Sequence, residues 1–195
     1  MKKLLVLNSS LNGTEGNSNQ LASEIVTHLT EKFDLSVVER DLAKDALPHL
    51  TQEELGAWMT DATERTDQQA QLAKLSDELI QELIDADMVV IGLPMYNFGI
   101  PSVFKAWVDR VARAGTTFKY TETGPQGLLE NKKVYIAAAR GGIYQGTDKD
   151  SQTQHVKDIF ALLGITDLEF LYAEGLNMPG AEDVKAAFSE RVKSI

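Results

Sequence analysis

Three short stretches of this sequence carry residue types that could hold a ligand and support chemistry on it. The first, Asn8-Ser9-Ser10-Leu11-Asn12-Gly13-Thr14-Glu15-Gly16-Asn17-Ser18-Asn19, is dense in hydroxyls, amides and glycine. In the second, Pro94-Met95-Tyr96-Asn97-Phe98-Gly99-Ile100-Pro101-Ser102, two prolines bracket an aromatic pair, an amide and a glycine. The third is Arg140-Gly141-Gly142. Free backbone amides at the positive end of a helix would suit the first stretch to phosphate. An ordinary capped surface loop has the same composition. Tyr96 and Phe98 could wall a flat ring or pack beneath a loop. Arg140 could pair with an anion or a carbonyl oxygen, or sit solvated in a tight turn; the glycines leave room for close backbone approach.

Other chemistries find less support. No G-x-G-x-x-G and no G-x-x-x-x-G-K-[ST] accompanies the first stretch, so neither dinucleotide nor P-loop binding is its natural reading. Ser9 and Ser10 lack a G-x-S-x-G elbow. Asp41 stands where a ribose-binding acid would, yet without the glycine fingerprint it reads as structural. His28, His49 and His155 have no metal-ligand spacing, so no metal site is expected, and Glu53–Glu64 reads as a solvated face. With no cysteine there is no disulfide framework and no thiolate nucleophile.

The elements that must position these stretches alternate between two periods. Short apolar strands are expected at Leu4–Leu7, Leu35–Glu39, Met88–Leu93, Lys133–Ala139 and Leu168–Tyr172. Between them, helical spacing runs from Asn19 to about Lys32, with Ser18 or Asn17 as cap, and from Gln68 to Ile84. A short helix is expected around Glu53–Met59, and another starting at Pro101, running through Val111 and ended by Gly115. Gln154–Leu163, stopped by Gly164, and Ala181–Val192 complete the set. Such alternation implies right-handed crossovers and a parallel sheet. The expected architecture is a flavodoxin-like, doubly wound α/β sheet of five strands in the order 2-1-3-4-5, one domain over residues 1–195.

Composition limits the partners. Nineteen Lys and Arg stand against twenty-nine Asp and Glu, a formal charge of −10, which argues against a nucleic-acid surface and against anionic membranes. The basic, apolar start Met1–Leu7 is too short for a signal peptide and runs straight into Asn8-Ser9-Ser10. No apolar run approaches the roughly 20 residues of a bilayer span, so a cytoplasmic location is the default.

In the expected fold the three stretches follow strands one, three and four and meet at one sheet edge, where ligands of open α/β sheets bind. A phosphate cradle, an aromatic slot and a glycine turn together suit a phosphorylated flat cofactor, and flavin mononucleotide (FMN) fits best.

Over nearly its whole length the sequence also resembles the FMN-dependent NADH-azoreductases within the flavodoxin-like quinone reductases. The resemblance is carried by Ser18-Asn19-Gln20-Leu21, Pro94-Met95-Tyr96-Asn97-Phe98, Asp109-Arg110-Val111-Ala112-Arg113-Ala114-Gly115, Thr117-Phe118-Lys119-Tyr120-Thr121-Glu122, Arg140-Gly141-Gly142 and Ala173-Glu174-Gly175. It implies noncovalent FMN with its phosphate at Ser10, Gly16, Asn17 and Ser18. Met95, Tyr96, Asn97 and Phe98 would run beside the ribityl chain and ring, and Ala139, Arg140, Gly141 and Gly142 would close the other edge. Relatives often carry serine where this chain has Ala139, and some an aromatic where it has Leu162, a position proposed to line the substrate pocket. The resemblance also implies a homodimer whose sites are shared, with Tyr120 near the joint pocket. NADH would reduce the flavin and leave, and a quinone or azo compound would take its place, a ping-pong scheme needing no dedicated catalytic side chain. The rival readings are a flavodoxin-like electron carrier without substrate turnover and a flavin-responsive interaction protein.

Overall fold

Strand β3 (Met88–Pro94) is buried at every position, because helices cover both faces of the sheet it centres. Its odd and even residues belong to different cores. Val89, Ile91 and Leu93 face the larger one with Leu79, Leu83, Phe104, Trp107 and Phe160. Met88 and Val90 face the other, with Leu21, Ile25, Phe188 and Val192. The computed structural model describes all residues, Met1–Ile195.

The remaining strands of this sheet are β1 (Lys2–Asn8), β2 (Leu35–Asp41), β6 (Lys133–Ala139) and β7 (Asp167–Ala173). They lie in the order β2-β1-β3-β6-β7, every pairing parallel, which is the expected 2-1-3-4-5. Helices α1 (Asn17–Lys32) and α6 (Ala181–Val192) cover one face; α3 (Asp67–Asp85), α4 (Ser102–Val111) and α5 (Ser151–Leu163) cover the other. α2 (Gln52–Met59) packs on α3 through Ala57, Trp58 and Ala73. No helix is long and apolar enough to cross a membrane.

Several boundaries differ from expectation for local reasons. α1 starts at Asn17 with Gly16 as its cap, and neither Asn17 nor Ser18 caps it. Pro101 stands just outside α4 rather than opening it, and α4 ends at Val111, before Gly115. α5 begins three residues early because the Asp150 carboxylate accepts the Thr153 amide as a side-chain cap. Gly164 does end α5, at φ +93°. Between α4 and β6 an unexpected antiparallel hairpin pairs β4 (Phe118–Thr121) with β5 (Gly124–Gly127). Glu54 overturns the solvated reading of its segment. It is 7% exposed, and its carboxylate takes two hydrogen bonds from the fully buried Arg110 guanidinium, at 3.0 and 2.9 Å. Arg110 also donates to the Pro48 and Ala106 carbonyls, which clamps the chain around residue 48 to α4.

Candidate functional site

The loop after β1 folds back on itself because Asn19 serves both its ends. Asn19 Oδ1 accepts the Ser10 amide at 3.3 Å, and Nδ2 donates to the Gly13 carbonyl at 2.9 Å. Ser9 is spent on structure, donating to the Gly92 carbonyl at 2.6 Å. Ser10 Oγ accepts the Asn12 amide and lies 3.5 Å from the Tyr96 hydroxyl. A Cβ on Gly16 would stand 2.1 Å from Ser10 Oγ and 2.5 Å from Ser10 Cβ, so only glycine fits against that side chain.

This loop has unspent donors. The amides of Asn17 and Ser18, in the first turn of α1, take no backbone carbonyl, as first-turn amides of a helix cannot. The Ser18 hydroxyl is buried, with the residue 1% exposed, and has no partner in the chain. A buried polar atom without a partner is costly unless a ligand supplies one. Hydroxyl and amides together at the positive end of a helix form a donor set that suits a phosphate, and the residues present fit one.

After β3 the chain reverses in two residues. Tyr96 and Gly99 exchange backbone hydrogen bonds at 3.1 and 3.0 Å, with Asn97 at φ +50° and Phe98 at φ +65° between them. Two consecutive non-glycine residues at positive φ are strained and need outside support. Part of it comes from α5: Ser151 Oγ donates to the Phe98 carbonyl at 2.7 Å. Tyr96 points back, its hydroxyl accepting the Leu11 amide at 3.1 Å. Phe98 is exposed and meets Tyr144 edge to face, ring centroids 5.5 Å apart.

The loop after β6 corrects one expectation. Arg140 is 1% exposed, and its guanidinium is engaged by partners within the chain. It pairs with Asp150 at 2.8 Å and Glu174 at 2.9 Å, donates to Thr153 Oγ1, and lies over the Tyr172 ring. Burial works against the charged form of Asp150, but the hydrogen bonds from Arg140 and Thr153 outweigh it and hold its pKa below the usual carboxylate value. Ala139 likewise turns its side chain into the core, while its carbonyl accepts the Met95 amide at 3.0 Å. Gly141 and Gly142 are confined by their neighbours: a Cβ on either would stand 2.4 Å from Asn177 Nδ2 or 2.7 Å from the Tyr144 hydroxyl.

The three stretches thus meet at the carboxyl edge of the sheet. Beside them opens a cleft of about 860 Å³, lined by Leu11, Met95, Tyr96, Asn97 and Ile100, by Ser102, Lys105 and Asp109 of α4, and by His49, Leu50 and His155. His49 and His155, which the sequence marks as surface or helix-face residues, are both exposed, and the fold brings them to one opening. Asp41 is structural as expected, since its carboxylate accepts the amides of Ala43 and Lys44. Two candidates do not reach this cleft. Tyr120, on β4, is 75% exposed and packs on Phe118. Leu162 lies three turns down α5 from Ser151, roughly 16 Å along an axis that runs away from the site.

Comparison with known proteins bears on this geometry. A family model described as the flavodoxin-like fold matches residues 2–195. An FMN-dependent NADH:quinone oxidoreductase of Alteromonas mediterranea is 53% identical over 195 residues, covering 100% of this chain and 97% of its own. A protein of the same name from Pseudoalteromonas atlantica is 52% identical over 195 residues, covering 100% and 96%. Among solved structures, a Bacillus anthracis azoreductase superposes with a TM-score of 0.90 at 28% identity, over 100% of this chain and 98% of that one. An FMN-dependent NADH-azoreductase from Bacillus anthracis, solved in complex with FMN, gives 0.89 at 28% identity, over 100% and 97%.

Proposed function

The chain belongs to the flavodoxin-like fold family, and on that premise we propose that it is an FMN-dependent NADH:quinone oxidoreductase that also reduces aromatic azo compounds. The observation that carries the reading is the buried, unpartnered Ser18 hydroxyl beside the open amides of α1, at the same sheet edge as a turn bearing Asn97 and Phe98. When bound, FMN would supply two-electron redox chemistry between NADH and the acceptor.

The chain's own residues bind and orient. Ser10, Gly16, Asn17 and Ser18 form the phosphate cradle, with neutral donors and a helix end. Met95, Tyr96, Asn97 and Phe98 make one wall of the ring slot, and the backbone of Ala139, Arg140, Gly141 and Gly142 makes the other. The Arg140 side chain holds that wall from behind. The adjoining cleft admits donor and acceptor in turn, which gives ping-pong kinetics, and its size favours an enzyme over a plain electron carrier. No side chain is assigned a catalytic role.

The reading extends to a single domain over 1–195, cytoplasmic and homodimeric. Tyr120 and Leu162, which miss the cleft of their own chain, would then serve the cleft of a second copy. Three measurements test the proposal: the visible spectrum of the purified protein, titration of the apo-protein with FMN and FAD, and anaerobic bleaching by NADH followed by reoxidation with a quinone. FMN uptake, bleaching and reoxidation are expected. Failure to bind FMN, or preference for FAD, sinks the proposal.

A further inference from the structure

We propose that Gln152, oriented by Arg140, is a positioning residue that sets the spacing between the two walls of the cofactor slot. Gln152 is 1% exposed at the start of α5. Its Oε1 accepts from Arg140 Nε at 3.3 Å, while Nε2 donates to the Pro94 carbonyl at 2.9 Å and the Gly99 carbonyl at 3.1 Å. Only one amide orientation works. Reversed, the oxygen would face two carbonyl oxygens and the NH₂ would face a guanidinium N–H.

Pro94 ends β3 two residues before the turn that carries Asn97 and Phe98 at positive φ, and Gly99 closes that turn. One amide group therefore ties the end of β3 to the close of a strained reversal. On the opposite side, Glu174 Oε1 accepts from Arg140 Nη1 at 2.9 Å and from the amides of Tyr144 and Gln145 at 3.0 and 2.9 Å. The wall after β6 and the turn after β3 are thus fastened to the same guanidinium, one through a carboxylate and the other through Gln152. Arg140 is itself immobilised by Asp150, Thr153 and Tyr172. A rigid planar fork with four of its five N–H donors engaged is a poor ligand group and a good spacer.

This inference rests on the flavin reading above and makes a claim that reading does not: what matters is the donation from Nε2 to the two carbonyls. The test compares Gln152→Glu and Gln152→Met in the full chain. The glutamate keeps an acceptor for Arg140 but offers the two carbonyls no donor; the methionine keeps only the volume. Both should bind FMN about tenfold more weakly in fluorescence titration of the apo-protein. The glutamate variant sets a carboxylate oxygen against both carbonyls, so its apo-protein should also unfold earlier, and affinity is read where it is still fully folded. A purely structural role predicts the lower midpoint alone, with FMN affinity of the folded variant intact. A Gln152→Glu protein with an FMN dissociation constant within about twofold of wild type overturns the proposal. If neither variant folds, Gln152→Asn decides, since it keeps an amide in place but, one methylene shorter, withdraws its donor from the Pro94 and Gly99 carbonyls. An FMN affinity about threefold lower supports the proposal and an unchanged one overturns it. A wild-type apo-protein that takes up no FMN would instead remove the flavin reading itself.

Discussion

The Tyr96 hydroxyl accepts the Leu11 amide at 3.1 Å and stands 3.5 Å from Ser10 Oγ. The turn after β3 is thereby strapped to the loop after β1, so the part of the site suited to a phosphate and the part suited to a ring cannot shift independently. An aromatic that the sequence offered as a stacking wall is also a strut. The chemistry of each site residue is consequently tied to its neighbours.

Ser18→Ala should move the two quantities in opposite directions. The hydroxyl has no partner within the chain, so its loss leaves the apo-protein as stable as before or slightly more so. A bond to a charged group is worth about 1.5–3 kcal/mol, so FMN affinity should fall roughly tenfold or more. Calorimetry of the apo-protein and flavin titration read the two effects separately. A destabilised apo-protein with normal FMN affinity would show that the hydroxyl is not aimed at the phosphate.

Glu54→Ala leaves the Arg110 guanidinium charged and buried without its carboxylate. Breaking a buried pair on one side costs about 3–5 kcal/mol. At roughly 2–4 °C per kcal/mol for a chain of this size, the melting midpoint should drop by about 6 °C or more. Pro48 hangs on the same guanidinium, and His49 and Leu50 line the cleft, so KM for the acceptor should rise as well. Thermal denaturation unchanged within error would contradict the burial of this pair.

Acid should release the cofactor through Asp150. Its folded pKa is depressed, so it contributes stability in full above the unfolded value of about 3.9, and that contribution is lost as pH falls through the lower folded value. Protonation there frees one corner of the Arg140 anchor. Flavin retention should stay level from neutral pH to about pH 4 and decline below it. Asp150→Asn should weaken FMN binding at neutral pH and flatten this decline. An Asn variant with the wild-type acid profile would place the transition elsewhere.

Steady-state kinetics test the shared cleft. With NADH varied at several quinone concentrations, double-reciprocal plots should be parallel, and each substrate should inhibit competitively against the other at high concentration. Intersecting lines would mean that both are bound at once, and the single-cleft scheme would fall.

The sequence conveyed the sheet more fully than the hydrogen bonds that finish the site. Met88–Leu93 was legible because an unbroken apolar run has few alternatives, and Ala181–Val192 because its periodicity is long enough to find its own ends. The hairpin escaped notice because Gly124-Pro125-Gln126-Gly127 has neither alternation nor strand formers. Arg140 looked available to a ligand because its carboxylate partners arrive ten and thirty-four residues later, at Asp150 and Glu174. Glu54 looked solvated for the same reason, its partner being Arg110. Gln152 left no trace at all; an amide among polar neighbours at a helix start has no pattern that marks it as buried.

The fastening of both walls to Arg140 also dictates an order of events during synthesis. The phosphate loop is synthesised well before Glu174, which holds the second wall. Until then the nascent chain presents a cradle without a slot. On the proposed site, cofactor loading should follow completion of β7, and a chain ended at Leu163 should quench no flavin fluorescence. A cell short of flavin would accumulate finished apo-protein lacking the mass-action stabilisation that a ligand confers, leaving it more open to proteolysis. In this way the abundance of the protein would follow the supply of its cofactor.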